Sequence, residues 1–215
     1  MVAKKRQDDH TMYYGLAEKM DEYQRDYMDS LINNLITFVN ARSGSGKTLL
    51  AVAAAKYLTE TTAVKGLTYI FAPVQERTMG YRKGNQSEKE SDYLIPLYDA
   101  LAVLGEQPEK ALDYRYGWVK AYSHTFLRGS TIDERFVIID EAQNWTKSEL
   151  KKVLTRLTDK SRAAVIGHSG QIDIKPSDSG FVEYINHFHN ESYAGVCELT
   201  ENYRGTVARH ADALC

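Results

Sequence analysis

Lys47 and Thr48 close the stretch Ala41-Arg-Ser-Gly-Ser-Gly-Lys-Thr48, and residues of these types at this spacing are suited to holding phosphate. Gly44 and Gly46 let the backbone turn tightly, so that amide N–H groups from Arg42, Ser43, Gly44, Ser45 and Gly46 converge on one anion. The helix expected to follow adds the positive end of its dipole. Lys47 reaches the β- and γ-phosphates of a nucleotide, and the Thr48 hydroxyl meets Mg²⁺. The full pattern asks for glycine at position 41, where this chain has alanine. Alanine fits there if the backbone keeps a negative φ.

A second constellation lies downstream. Phe136-Val-Ile-Ile139 leads into Asp140-Glu141-Ala142-Gln143. A buried strand ending in two acids places both carboxylates at the edge of an α/β sheet where ligands bind. Asp140 suits Mg²⁺, directly or through water. Glu141 suits the orientation and deprotonation of an attacking water. A kinase does not need that second acid, because its acceptor is not water. The apolar run Ala163-Ala-Val-Ile166 then enters Gly167-His168-Ser169-Gly170-Gln171. Gln171 can bridge the γ-phosphate and water, or be a surface glutamine in a turn.

The elements that must position these groups follow from periodicity. Apolar runs at 35–40, 67–71, 136–139, 163–166 and 195–199 read as strands, and the alternation Tyr114 to Tyr122 as a strand or ribbon. Helices are expected at 14–33, from the phosphate loop to about Thr61, at 92–103 around Pro96, and at 146–157, 181–188 and 206–214. Residues 74–91, with Gly80 and Gly84, read as a long functional loop. Strands alternating with helices predict an α/β fold with a mainly parallel sheet covered on both faces.

Composition sets the remaining bounds. The 215 residues, 43% hydrophobic and 26% charged, predict a packed domain over 13–215 behind a loose polar stretch at 1–12. A net charge of −2 leaves nucleic-acid binding to a local patch. Cys197 and Cys215 are too few for a disulfide framework, and no apolar run reaches the ~18 residues of a membrane span. Nothing apolar follows Met1-Val-Ala-Lys-Lys-Arg6, so a signal peptide is not expected and a reducing cytoplasm is.

Together these stretches resemble the PhoH-like ATPases, a phosphate-starvation-inducible family similar to the first RecA-like core of superfamily 1 helicases. The resemblance runs from about Gln24 to Arg209. It rests on Gly44 to Thr48, Tyr93 to Leu101, Leu127-Arg-Gly-Ser-Thr131, Phe136 to Asn144, Leu154-Thr-Arg156, Gln171-Ile-Asp173 and Leu199-Thr-Glu-Asn-Tyr-Arg204. It implies a three-layer α/β/α RecA-like P-loop NTPase with an extra strand between the phosphate-loop strand and the Asp140 strand. It also implies ATP hydrolysis with Mg²⁺, coupled to RNA or single-stranded DNA. The alternative is an ATP-binding switch or assembly factor with low turnover. Gln24 stands where such helicases place an adenine-reading glutamine; otherwise it is an exposed helix glutamine. Arg204 corresponds to the arginine that meets the γ-phosphate, or caps a helix on a carboxylate.

Two departures stand out. Gly167-His168 replaces the family's Gly-Asp, and Ala72-Pro73 lacks the usual preceding arginine. In the loop that follows, Arg77, Tyr81, Arg82 and Lys83 are candidate nucleic-acid contacts, set against Glu76, Glu88 and Glu90. The ladder Tyr114, Tyr116, Trp118 reads as one buried strand face in preference to a base-stacking surface. This length holds one RecA-like core, so a homo-oligomer, ring-shaped if its contacts close, is expected to complete the site with Arg204, Arg128 or Arg156 in trans.

Overall fold

A computed structural model describes residues 13–72, 92–124 and 131–212. Six strands form its sheet: β1 (Ile36–Ala41), β2 (Leu67–Phe71), β3 (Val119–Ser123), β4 (Phe136–Ile139), β5 (Arg162–Gly167) and β6 (Ala194–Leu199). Their order is β3-β2-β4-β5-β1-β6, and every pairing is parallel. All strands therefore end at one edge, and the loops leaving that edge can share a site. β5 is the strand inserted between β1 and β4, in the place the resemblance implies.

The apolar runs lack simple alternation because both faces are covered. Val39, Tyr69, Ile138 and Ile166 belong to one core cluster, with α1 (Glu22–Asn33), α2 (Lys47–Glu60) and α3 (Ile95–Val103). Phe38, Ile70, Ile139 and Val165 belong to the other, with Leu150 and Val153 of α5 (Lys147–Leu154) and Phe181 of α6 (Phe181–Phe188). Neighbouring residues on each strand thus feed opposite cores, which makes three layers, α/β/α. The Ala51–Ala55 run of α2 is buried throughout, and its small side chains let this helix lie between α1, α3 and the sheet. A short helix α4 (Pro108–Ala111) precedes β3, and α7 (Thr206–Asp212) closes the described chain.

Three expectations change. The first helix begins at Glu22, not near Tyr14, because Asp21 forms a capping box with Gln24. Before it, Tyr13, Tyr14 and Gly15 make a single 3-10 turn with positive φ, a hand that a right-handed α-helix cannot continue. The aromatic ladder is no buried strand face: Tyr114 and Tyr116 are exposed on a turn, and β3 starts only at Val119. The helix at 146 ends at Leu154, with Thr146 as its N-cap in a second capping box. Residues 1–12, Arg77, Tyr81, Arg82, Lys83, Arg128 and Cys215 lie outside the described residues. Among the described residues no helix is long and apolar enough to cross a membrane.

Candidate active site

The phosphate loop joins β1 to α2, and its two glycines do what only glycine does readily. Gly44 has φ +76° and Gly46, the N-cap of α2, has φ +81°. Ala41 keeps a negative φ at the end of β1, so alanine costs nothing there. The amide N–H groups of Ser43, Gly44 and Gly46 meet no acceptor among the described residues. The first turn of α2 adds the N–H groups that no helix satisfies internally. The result is a cluster of donors at the positive end of a 14-residue helix. Ser45 Oγ is buried without a partner among the described residues, so the loop is short of an acceptor.

Asp140 leaves β4 beside this loop. The Thr48 hydroxyl donates to Asp140 Oδ2 at 3.3 Å, across 92 residues of chain. Tyr69 OH donates to the same oxygen at 2.5 Å, and Glu141 N–H donates to Oδ1 at 2.9 Å. Burial, and then the neighbouring Glu141 carboxylate, push the Asp140 carboxyl above its ordinary range; the Tyr69 hydrogen bond and the Lys47 charge pull the other way. A carboxylate in that position favours a cation at its side. Among the described residues no three acidic, histidine or cysteine side chains gather around one point. One hydroxyl and one carboxylate fit Mg²⁺, which takes few protein ligands and completes its shell with water and substrate phosphates.

Glu141 behaves differently from its neighbour. Its φ of +50° is left-handed, a strained choice for a residue with a Cβ. The twist sends Asp140 inward and leaves Glu141 exposed. Gln143, buried and not singled out as a site residue by sequence reasoning, ties this corner together. Its Nε2 donates to Glu141 Oε2 at 2.6 Å and to Gln171 O at 3.1 Å, while its Oε1 accepts from His168 N–H at 3.0 Å. Asn144 and Asp173 exchange a reciprocal pair at 2.9 and 2.7 Å. Because β5 lies between β1 and β4, its exit loop brings Gln171 next to Glu141, with the Gln171 side chain exposed.

The other side of the loop is closed by residues from both ends of the chain. Gln24 is buried, its Oε1 accepting from Asp21 N–H at 3.2 Å and its Nε2 donating to Ser45 O at 2.9 Å. Tyr203 N–H donates to Gly44 O at 3.0 Å, and the Tyr203 hydroxyl donates to Asp21. A Cβ on Gly44 would stand 2.5 Å from Asn202 Oδ1 and 2.7 Å from Arg204 Cγ, so this segment lies directly on the loop. Arg204 is exposed, and its guanidinium has no partner among the described residues. Arg156 follows α5 at the opposite edge of the sheet, where its carbonyl accepts from Ile132 N–H.

The family description "PhoH-like protein" matches residues 17–212. The chain belongs to the PhoH-like family. Protein PhoH2 of Bacillus subtilis (strain 168) is 31% identical over 189 residues, 84% of this chain and 42% of that protein. A PhoH-like protein of the same organism is 36% identical over 153 residues, 70% of this chain and 48% of its own length. The chain spans about half the length of the curated relatives it matches. Among solved structures, the Pyrococcus furiosus Hef helicase domain aligns over 86% of this chain and 39% of its own, at 14% identity and a TM-score of 0.45.

In this PhoH-like chain Gln143 is the residue most exposed to a simple test. Gln143→Leu keeps the volume and removes three hydrogen bonds. If this site hydrolyses ATP, the variant is expected to lose turnover about tenfold to a hundredfold through misplacement of Glu141, with ATP affinity within about twofold. Phosphate-release rates and a nucleotide titration check this; unchanged turnover assigns Gln143 to folding alone.

Proposed function

We propose that the PhoH-like chain is a Mg²⁺-dependent ATPase, built as one RecA-like domain over residues 13–215, working in the cytoplasm and coupled to RNA or single-stranded DNA. The observation that carries the reading is the Thr48–Asp140 contact, which unites the phosphate loop and the acidic strand in one site. The reaction is ATP + H₂O → ADP + phosphate. The free amides of Ser43, Gly44 and Gly46, with the start of α2, cradle the phosphates, and exposed Arg42 flanks them. Lys47 neutralises the β- and γ-oxygens. Thr48 and Asp140 hold Mg²⁺, which when bound offsets charge on the phosphate oxygens.

Glu141 orients a water and takes its proton as the water oxygen bonds to the γ-phosphorus and the bond to the bridging oxygen of ADP breaks. Gln143 holds the Glu141 carboxylate in place. Gln171 and Arg204 face the γ-end, one polar and one cationic, where charge develops in the transition state. Gln24 offers an adenine its remaining amide hydrogen and the second lone pair of Oε1. Such catalysis works by positioning and electrostatics.

The coupling is supported by the likeness of Leu199 to Arg204 to a helicase motif. Phosphate release measured with and without RNA or single-stranded DNA tests it. We expect a severalfold or larger rise; slow turnover indifferent to either polymer would make the chain a nucleotide switch instead. A neighbouring copy is proposed to complete the site, with an arginine across the interface. Light scattering with nucleotide present should give a mass above one chain, and a strict monomer would remove that part.

A further inference from the structure

A turn at the far end of the sheet presents two tyrosine rings to solvent. Tyr114 is 99% exposed and Tyr116 88%, with exposed Arg115 between them. The turn is rigidly built. Asp113 Oδ1 accepts from the N–H groups of Arg115 and Tyr116, both at 2.9 Å, and Gly117 N–H donates to Asp113 O at 2.9 Å. A Cβ at Gly117 would stand 2.4 Å from Ala111 O and 2.6 Å from Asp113 N, so glycine alone lets the chain fold back this closely. The backbone is ordered before any ligand arrives, which lowers the cost of binding. Folding itself draws nothing from these rings, since neither is covered.

The same surface continues onto β3, an edge strand. Lys120 and Tyr122 lie two residues apart and so share one face, Lys120 exposed and Tyr122 at 38%. Lys110, Arg115 and Lys120 are exposed and form no ion pair among the described residues. Of the acids on this stretch, Glu109 is exposed and Asp113 has one oxygen occupied by the backbone. Aromatic faces interleaved with unpaired cations suit a single strand: every base has a face to stack, and cations follow the phosphates.

We propose that Tyr114 and Tyr116, with Arg115 and Lys120, form a stacking platform for single-stranded nucleic acid on the β3 edge, apart from the ATP pocket. The inference rests on the nucleic-acid half of the proposed function. The turn precedes β3, and the parallel sheet places it at the edge opposite the phosphate loop and Asp140. Substitutions there should leave basal ATP hydrolysis unchanged.

The test is fluorescence anisotropy of dye-labelled oligothymidylate and oligouridylate, with thermal melting to verify folding. Losing about fivefold or more per ring, Y114A/Y116A should weaken binding at least ~25-fold. Y114F/Y116F, which keeps the stacking faces, should bind within about twofold of wild type, and R115A should reduce the salt slope by about 0.7. Equal affinity of wild type and Y114A/Y116A overturns the platform while leaving the nucleic-acid reading intact. No binding by wild type overturns both. Unchanged oligonucleotide affinity with a smaller mass in light scattering overturns it in favour of a protein interface.

Discussion

Glu141→Gln is expected to bind ATP about as well as wild type and to hydrolyse it at least about a hundredfold more slowly, the loss that removal of a general base brings. Glutamine has the shape of glutamate, and its carbonyl oxygen can still accept from Gln143 Nε2. The residue is exposed, so no buried partner is stranded. Thr48 and Asp140 keep their contact. Glu141 is also one of the groups that raise the Asp140 carboxyl, second only to burial. Removing its charge makes Asp140 easier to ionise, so Mg²⁺ should be held no less well. Rapid-quench phosphate release and an equilibrium titration with ATP separate the two properties. Hydrolysis at the wild-type rate takes Glu141 out of the base role.

Lys47→Ala is expected to do more, weakening ATP binding about tenfold to a hundredfold and turnover about a hundredfold to a thousandfold. Lys47 Nζ makes no hydrogen bond or ion pair among the described residues, and the backbone place of Lys47 in the first turn of α2, with the long 3.5 Å contact from Tyr27 OH to its carbonyl, does not depend on the side chain. Truncation therefore removes little that holds the fold, and the thermal midpoint of the nucleotide-free protein should barely move. Asp140 loses a charge that lowers its carboxyl, so the site also becomes a poorer place for a metal. Normal ATP affinity in this variant counts against the phosphate-loop reading.

Much of this site is legible from residues alone because backbone demands are local. Gly44 and Gly46 signal left-handed turns by their type and spacing, and both have positive φ. Phe136 to Ile139 is legible as a strand buried on both faces because no polar residue interrupts it. The position of β5 between β1 and β4 is not legible that way, since periodicity carries no strand order. Gln143 escapes sequence reasoning for a related reason: its role arises only when the left-handed twist at Glu141 meets the exit loop of β5.

The aromatic ladder shows how local bonds override a pattern. Tyr114, Tyr116 and Trp118 alternate with polar residues as a strand does, yet Asp113 before them and Gly117 among them are turn residues. Asp113 binds two backbone amides and Gly117 permits the tight return, and those local bonds outweigh alternation. Likewise Asp21 and Gln24, three residues apart, are a capping-box signature that places the start of α1 better than apolar spacing does.

The most direct measurement is the identity of the nucleotide recovered from protein incubated with ATP and Mg²⁺, then freed of unbound ligand and denatured. Wild type should yield ADP, and Glu141→Gln should yield intact ATP in similar amount. ADP from both proteins, or no nucleotide from either, would contradict an ATP-hydrolysing site assembled from the phosphate loop and the Asp140–Glu141 corner.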